Sequence, residues 1–284
     1  MGRWIDHMGL IRTIALGLLA LFAQSQMAYA EDSPLINPHQ IVTTTFNNLY
    51  GFSSIQQVEV STGTAARGDT FTRSAQVIRV GAANGLNRML VRFKGPMDLR
   101  GVGILLSERD NFQYDAFMYQ PTLKKVRRVS VYQRHDQFFG TDLSFEDLEG
   151  KRASQWNARL LRSEVMLGRN TWVIELTPIG FPSGYEKIVG WFDQEVPVIV
   201  HFEYILKGMG DTVHKAVDID PGYVVEKDGY FIPTHLKFSG SQGTETVVRI
   251  SDIEVHESFP KSLFSPSSLE RGGVRSDASK SRSD

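Results

Sequence analysis

The sequence predicts a mainly β domain organised as an antiparallel sheet, on three observations. From Ser54 onward, β-branched and aromatic residues fall in short runs separated by turn formers, roughly ten or eleven runs in all. Within these runs apolar and polar residues alternate, which gives a strand one apolar face and one wet face. Helical spacing is confined to a few brief stretches.

Taken in order, residues 1–30 read as a secretory signal: Arg3 and Arg12, an apolar run from Ile14 to Ala23, and the small-residue exit Ala28-Tyr29-Ala30. Cleavage is expected after Ala30, because the apolar run falls short of the roughly 20 residues that cross a bilayer. The mature chain is then expected in the periplasm, soluble, with only transient membrane contact. Pro38 to Tyr50 carries Ile41, Val42, Phe46 and Leu49 at helical spacing, with Gly51 placed to end the helix.

The strands follow. Met89, Val91 and Phe93 oppose Arg88, Arg92 and Lys94; Trp172, Ile174 and Leu176 oppose Glu175 and Thr177. Val198, Val200, Phe202, Tyr204 and Leu206 fall on one face against His201, Glu203 and Lys207. Tyr230, Ile232, Leu236 and Phe238 oppose His235 and Lys237. So much apolar sheet has little helix to cover it, only the segment at 38–50, one or two short helices between Gln137 and Lys151, and a turn near Ser262 to Phe264. A long antiparallel sheet in that position curls, and its concave side is either filled by helices and bulky side chains or left to hold something apolar. Residues 31–264 are expected to form one domain. Residues 265–284, rich in Ser, Arg, Lys, Asp and Gly, are expected to be a disordered tail.

The chain has no cysteine and a net charge of −1. Disulfides, thiolate nucleophiles and an acylated N-terminal cysteine are thereby excluded, and nucleic acid is a poor partner for a chain without excess Lys and Arg. His39, His135, His201, His214, His235 and His256 show no metal-ligand spacing on a helix. There is no Gly-x-Ser-x-Gly elbow and no phosphate-binding glycine loop. No catalytic residue, metal or cofactor is therefore expected, and the function expected is binding rather than enzymatic.

Three blocks stand in order between Val91 and Leu148: Val91 to Gly103 (VRFKGPMDLRGVG), Met118 to Arg128 (MYQPTLKKVRR) and Phe138 to Leu148 (FFGTDLSFEDL). Together they resemble the outer-membrane lipoprotein-sorting-like, LolA-like family. The resemblance implies a half-open antiparallel β-barrel with an N-terminal helix and a helical lid, whose apolar cavity takes acyl chains of a lipoprotein or another lipid. It also implies a periplasmic carrier working beside an export permease of the RND or MMPL type.

Read physically, Pro96 fixes a turn after Gly95, and Gly101 and Gly103 permit close approach of another segment. Lys124, Lys125, Arg127 and Arg128 form a run that is ordinarily a solvated face. If one side of it looks into the barrel mouth, Arg127 or Arg128 would pair with a lipid phosphate, or with Glu146 or Asp147. Phe138, Phe139, Leu143, Phe145 and Leu148 are the expected lid, with Asp142 or Ser144 suited to cap a short helix. By alternation, the expected cavity wall is Val91, Phe93, Trp172, Ile174, Leu176, Val198, Val200, Phe202, Tyr204, Leu236 and Phe238. The alternative is an envelope regulatory or scaffold protein that uses the same barrel for protein–protein binding.

Overall fold

The structure is a computed structural model that describes residues 36–64, 70–130, 136–241 and 243–271. The expected signal segment, His135 and residues 272–284 lie outside the described residues. All the strands belong to the second of two units, Pro38–Asp284.

Helix α1 (Pro38–Tyr50) leads into two meanders. The first comprises β1 (Ser53–Thr64), β2 (Thr70–Val80), β3 (Arg88–Gly95), β4 (Gly103–Glu108), β5 (Tyr114–Gln120) and β6 (Lys125–Arg128). The second comprises β7 (Trp156–Met166), β8 (Arg169–Pro178), β9 (Tyr185–Asp193), β10 (Ile199–Leu206), β11 (Val213–Ile219), β14 (His235–Gly240) and β15 (Thr244–His256). A separate ribbon, β12 (Val224–Lys227) and β13 (Tyr230–Pro233), interrupts it, and a short helix α2 (Pro266–Glu270) follows. The ribbon turns at Asp228-Gly229, both at positive φ as a two-residue hairpin turn of this hand requires.

The meanders join where β1 pairs with β15, from Ser53 opposite His256 to Thr64 opposite Thr244. The result is one 13-stranded antiparallel sheet with β6 and β7 at its two edges; it is open, not a closed barrel. Strands lie about 4.8 Å apart, so a flat sheet of this size would be roughly 60 Å wide. It is not flat. Arg152, just before β7, grips Glu108 at the end of β4 at 2.9 Å, and the Tyr114 hydroxyl of β5 donates to the Gly150 carbonyl at 3.1 Å. Strands near opposite edges thus share one connecting segment, and one apolar cluster unites Ile104 and Ala116 with Ile174 and Phe192 on the concave side.

Each half of the convex side has its own cover. Over the first meander, Phe264 and Leu269 pack on Ile78, Leu90 and Leu105, while Arg92 donates to the Ser268 carbonyl at 2.6 Å and that of Leu269 at 3.2 Å. Gly103 leaves the space this requires, since a Cβ there would stand 2.9 Å from Leu269. Residues 265–271, polar in composition, pack on the sheet through one fully buried leucine and two backbone carbonyls. Over the second meander, Val224 and Phe231 of the ribbon pack on Val173, Val189, Val198 and Val200. The run from Tyr230 to Phe238 is likewise not one strand. It breaks at Thr234, and Tyr230 and Ile232 pack with Phe52 and Ile253 instead of with Phe238.

Candidate functional site: a plug on the concave face

The concave face is covered by α1 and by the segment Asp136–Leu148. Phe139 and Gly140 adopt positive φ, and the chain folds back so that the Phe138 amide donates to the Leu143 carbonyl at 2.6 Å. This tight turn presents an apolar underside. Phe138, Leu143 and Phe145 are buried, Phe139 and Leu148 half-buried, and all five pack in the main core cluster. Phe93 of β3 lies under Phe138 and Phe139, with ring centroids 6.0 and 4.9 Å apart.

The rim of the plug is polar and is fastened by side chains. Asp142 accepts from the hydroxyls of Thr244 and, at 2.7 Å, Thr246, both on β15; its own amide donates to Thr246 at 3.0 Å. Asp147 pairs with Lys215 of β11 and accepts from the Tyr185 hydroxyl at 2.8 Å and the Ser144 amide at 2.6 Å. Glu146 accepts from the Ser183 hydroxyl at 2.6 Å and the Gly184 amide at 3.1 Å. Both side chains of the Asp147–Lys215 pair are only 4% exposed, and the Lys215 ammonium lies 5.2 and 5.0 Å from the ring centres of Tyr185 and Tyr204. Burial by itself pushes the Asp147 carboxyl up, but Lys215, the Ser144 amide and Lys151 overcome it and hold the group below the ordinary carboxylate range. Burial and the Asp147 charge raise the Tyr185 and Tyr204 phenols well above theirs. Burial, then the neighbouring Lys215, lowers the pKa of His214.

Beside this rim opens a cavity of about 340 Å³, lined by Gln137, Ser144, Tyr185, Leu206, His214 and Lys215 among others. On the far side of Asp142, the rim continues through Thr246 and Thr62, whose hydroxyls are 3.0 Å apart, to the guanidinium of Arg73. Among the described residues, no group of three or more His, Asp or Glu side chains is placed to hold a metal ion.

A family model described as "Uncharacterized protein" matches residues 85–271, well over half of the chain. The chain belongs to that family. The fold is shared with solved structures: an outer membrane lipoprotein-sorting protein domain from Vibrio parahaemolyticus superposes with a TM-score of 0.75 at 22% identity, covering 82% of this chain and 98% of that one. A DUF1329 family protein from Desulfovibrio piger gives 0.75 at 20% identity, covering 82% and 100%. A LolA superfamily protein from Nitrosomonas europaea gives 0.65 at 19% identity, covering 81% and 98%. The fold is thus LolA-like, as the three sequence blocks suggest. No curated protein matches the chain.

Of the expected wall residues, Val91, Phe93, Ile174, Leu176, Phe202, Tyr204 and Phe238 are buried on the concave side, and Trp172 and Leu236 pack against them half-buried. Val198 and Val200 do not join them. They sit in the convex cluster with Val173 and Trp191, because a register shift between Ile199 and His201 breaks the alternation and puts Ile199 on the concave side instead. Arg127 and Arg128 are exposed on edge strand β6, and Arg128 pairs with Asp115. The lid carboxylates are matched instead by Lys215, Ser183 and the β15 threonines. Asp142 caps no helix; the only helical turn in the plug, Glu146–Leu148, starts at Phe145 without a side-chain cap.

Lys215 is the residue that sequence reasoning passed over, and its signal is local. In Val213–Ile219 it shares parity with Val217 and Ile219, so alternation places a lysine on the apolar face. Arg73 is its counterpart on β2, sharing parity with Ala75 and Val77.

Proposed function

We propose that this chain is a periplasmic carrier whose curled sheet acts as a half-open barrel, with the segment Phe138–Leu148 as its lid. Acyl chains of a lipoprotein or another lipid occupy the concave face when the lid swings away. One observation carries the reading: the aromatic underside of the lid covers Phe93 and its neighbours, while its rim is fastened by side chains that can let go. A permanently packed cover has no need of a buried ion pair, since apolar residues in such a place hold at least as well. An acyl chain that replaces the lid aromatics buries a comparable apolar area, worth several kcal/mol at about 25 cal/mol per Å². Binding rather than chemistry fits the polar groups of the rim, where Ser144, Tyr185, Asp147 and Lys215 bond to one another and fasten the lid. Exchange of cargo with an RND- or MMPL-type permease follows from the resemblance of the three sequence blocks.

Gln137 on the lid and Ser241 after β14 are exposed and border the same cavity. The chain lacks cysteine, so Gln137→Cys and Ser241→Cys joined by a flexible bismaleimide would tie the lid to the sheet at one known place. The tied protein should take up no fluorescent fatty acid, and the same variant left unjoined should take it up. Equal uptake by both would remove the lid from the account.

A further inference from the structure

The carboxylates and the cations of the rim are not mixed: Asp142 and Asp147 belong to the lid, while their partners Thr244, Thr246, Tyr185 and Lys215 belong to the sheet. When the lid leaves, the sheet keeps the Lys215 ammonium and a row of hydroxyls without the lid carboxylates that met them. Arg73 extends that row. It is 6% exposed, its Nη1 donates to Thr62 at 3.3 Å and to the Phe71 carbonyl at 3.2 Å, the charge of Asp98 acts on it, and its Nε has no hydrogen-bond partner among the described residues. It lies under the lid turn, with Nη2 3.5 Å from where a Cβ on Gly140 would stand. A buried donor without a partner is costly, and a guanidinium is the side chain best shaped for two oxygens of one anion.

We propose that the uncovered rim is an anion site in which Arg73 and Lys215, with the hydroxyls of Thr62, Thr244 and Thr246, hold the anionic headgroup of an acyl lipid. The lid aspartates occupy that site in the closed form, and the cargo's phosphate or carboxylate takes their place. The proposal rests on the carrier reading and narrows it to lipids with an anionic headgroup. Acyl chains displace the aromatic underside and the headgroup displaces the carboxylates, so one ligand undoes both fastenings. The cavity beside Lys215 and Ser144 gives the headgroup a way in before the lid has moved.

The test compares two ligands with the same chains, dioctanoylphosphatidylglycerol and dioctanoylglycerol, by titration calorimetry of the full domain. The anionic lipid should bind at least about tenfold more tightly, the worth of one or two hydrogen bonds to a charged group. Lys215→Gln, which also loosens the lid for both lipids, should bring the two affinities together, read as their ratio. Should that variant fail to fold, the wild-type ratio still decides. Equal affinities in the wild type would overturn the anion site and leave the carrier standing. Binding of neither lipid would end the carrier reading and this inference with it. Inorganic phosphate binding as tightly as the anionic lipid would make the site one for free phosphate, which also overturns the proposal.

Discussion

Helix α1 and the lid segment both press aromatic side chains onto the concave face, but the bonds that hold them differ in kind. From α1, Asn48 donates to the carbonyls of Pro197 and Phe231 at 2.9 and 2.8 Å and accepts from the Phe231 amide at 2.9 Å, and Arg79 donates to the Leu49 carbonyl at 3.0 Å. The partners of Asn48 are backbone groups set by the fold, and Arg79 holds a carbonyl at the helix end. The lid is held by carboxylates that meet an ammonium, hydroxyls and the Gly184 amide, donors of the kind that also bind a guest anion. Both covers pack in the same apolar cluster, and under the proposed function only the second is exchangeable.

Substitutions in the two covers should have different effects. Phe46 of α1 is 2% exposed, and Phe46→Ala should cost about 3–5 kcal/mol of global stability, read from urea unfolding. A loss confined to the lid would show that α1 is not part of the core. Asp147→Asn should release the lid alone, because a buried ammonium left without its partner costs about 3 kcal/mol. Hydrogen exchange of amides 138–148 should then accelerate roughly a hundredfold, with α1 amides unchanged; acceleration in both would make the two covers one unit.

Acid should act on the same bond. The Asp147 carboxyl is held below the ordinary aspartate value, so its contribution is complete above about pH 4 and is lost as pH falls through the depressed folded value. Binding of the dye ANS should therefore rise below about pH 4 in the wild type, and this step should be missing in Asp147→Asn. Arg128→Gln should change stability by less than about 0.5 kcal/mol and leave lipid binding as it was, since its pair with Asp115 is exposed. A loss of binding there would return the polar contact to β6.

Helix α1 was legible to the residue, because four apolar positions at helical spacing precede a glycine and nothing in the tertiary structure opposes them. The sheet was legible as alternation, and so was the concave-facing side of most strands. Alternation fails where a bulge adds a residue: Val198 and Val200 satisfy the pattern on paper, yet the shift before His201 moves them to the convex side. It fails again at Thr234, where a ribbon that covers the outer face reads as the start of the next strand. The lid aromatics announce themselves as a cluster, whereas their fastening lies 68 residues further on at Lys215 and cannot be inferred from local spacing. The packing of residues 265–271 was hidden for a related reason. Composition averages over a segment, whereas Leu269 and the carbonyls of Ser268 and Leu269 make its contacts with the sheet.

Acyl chains held on the concave face, as proposed, would be seen by native mass spectrometry of the protein purified gently from its own cells, followed by organic extraction of whatever is bound. The expected result is a mass excess that matches an acylated species with an anionic headgroup, lost on extraction. A clean mass for the chain alone, unchanged after incubation with envelope lipids, would contradict it.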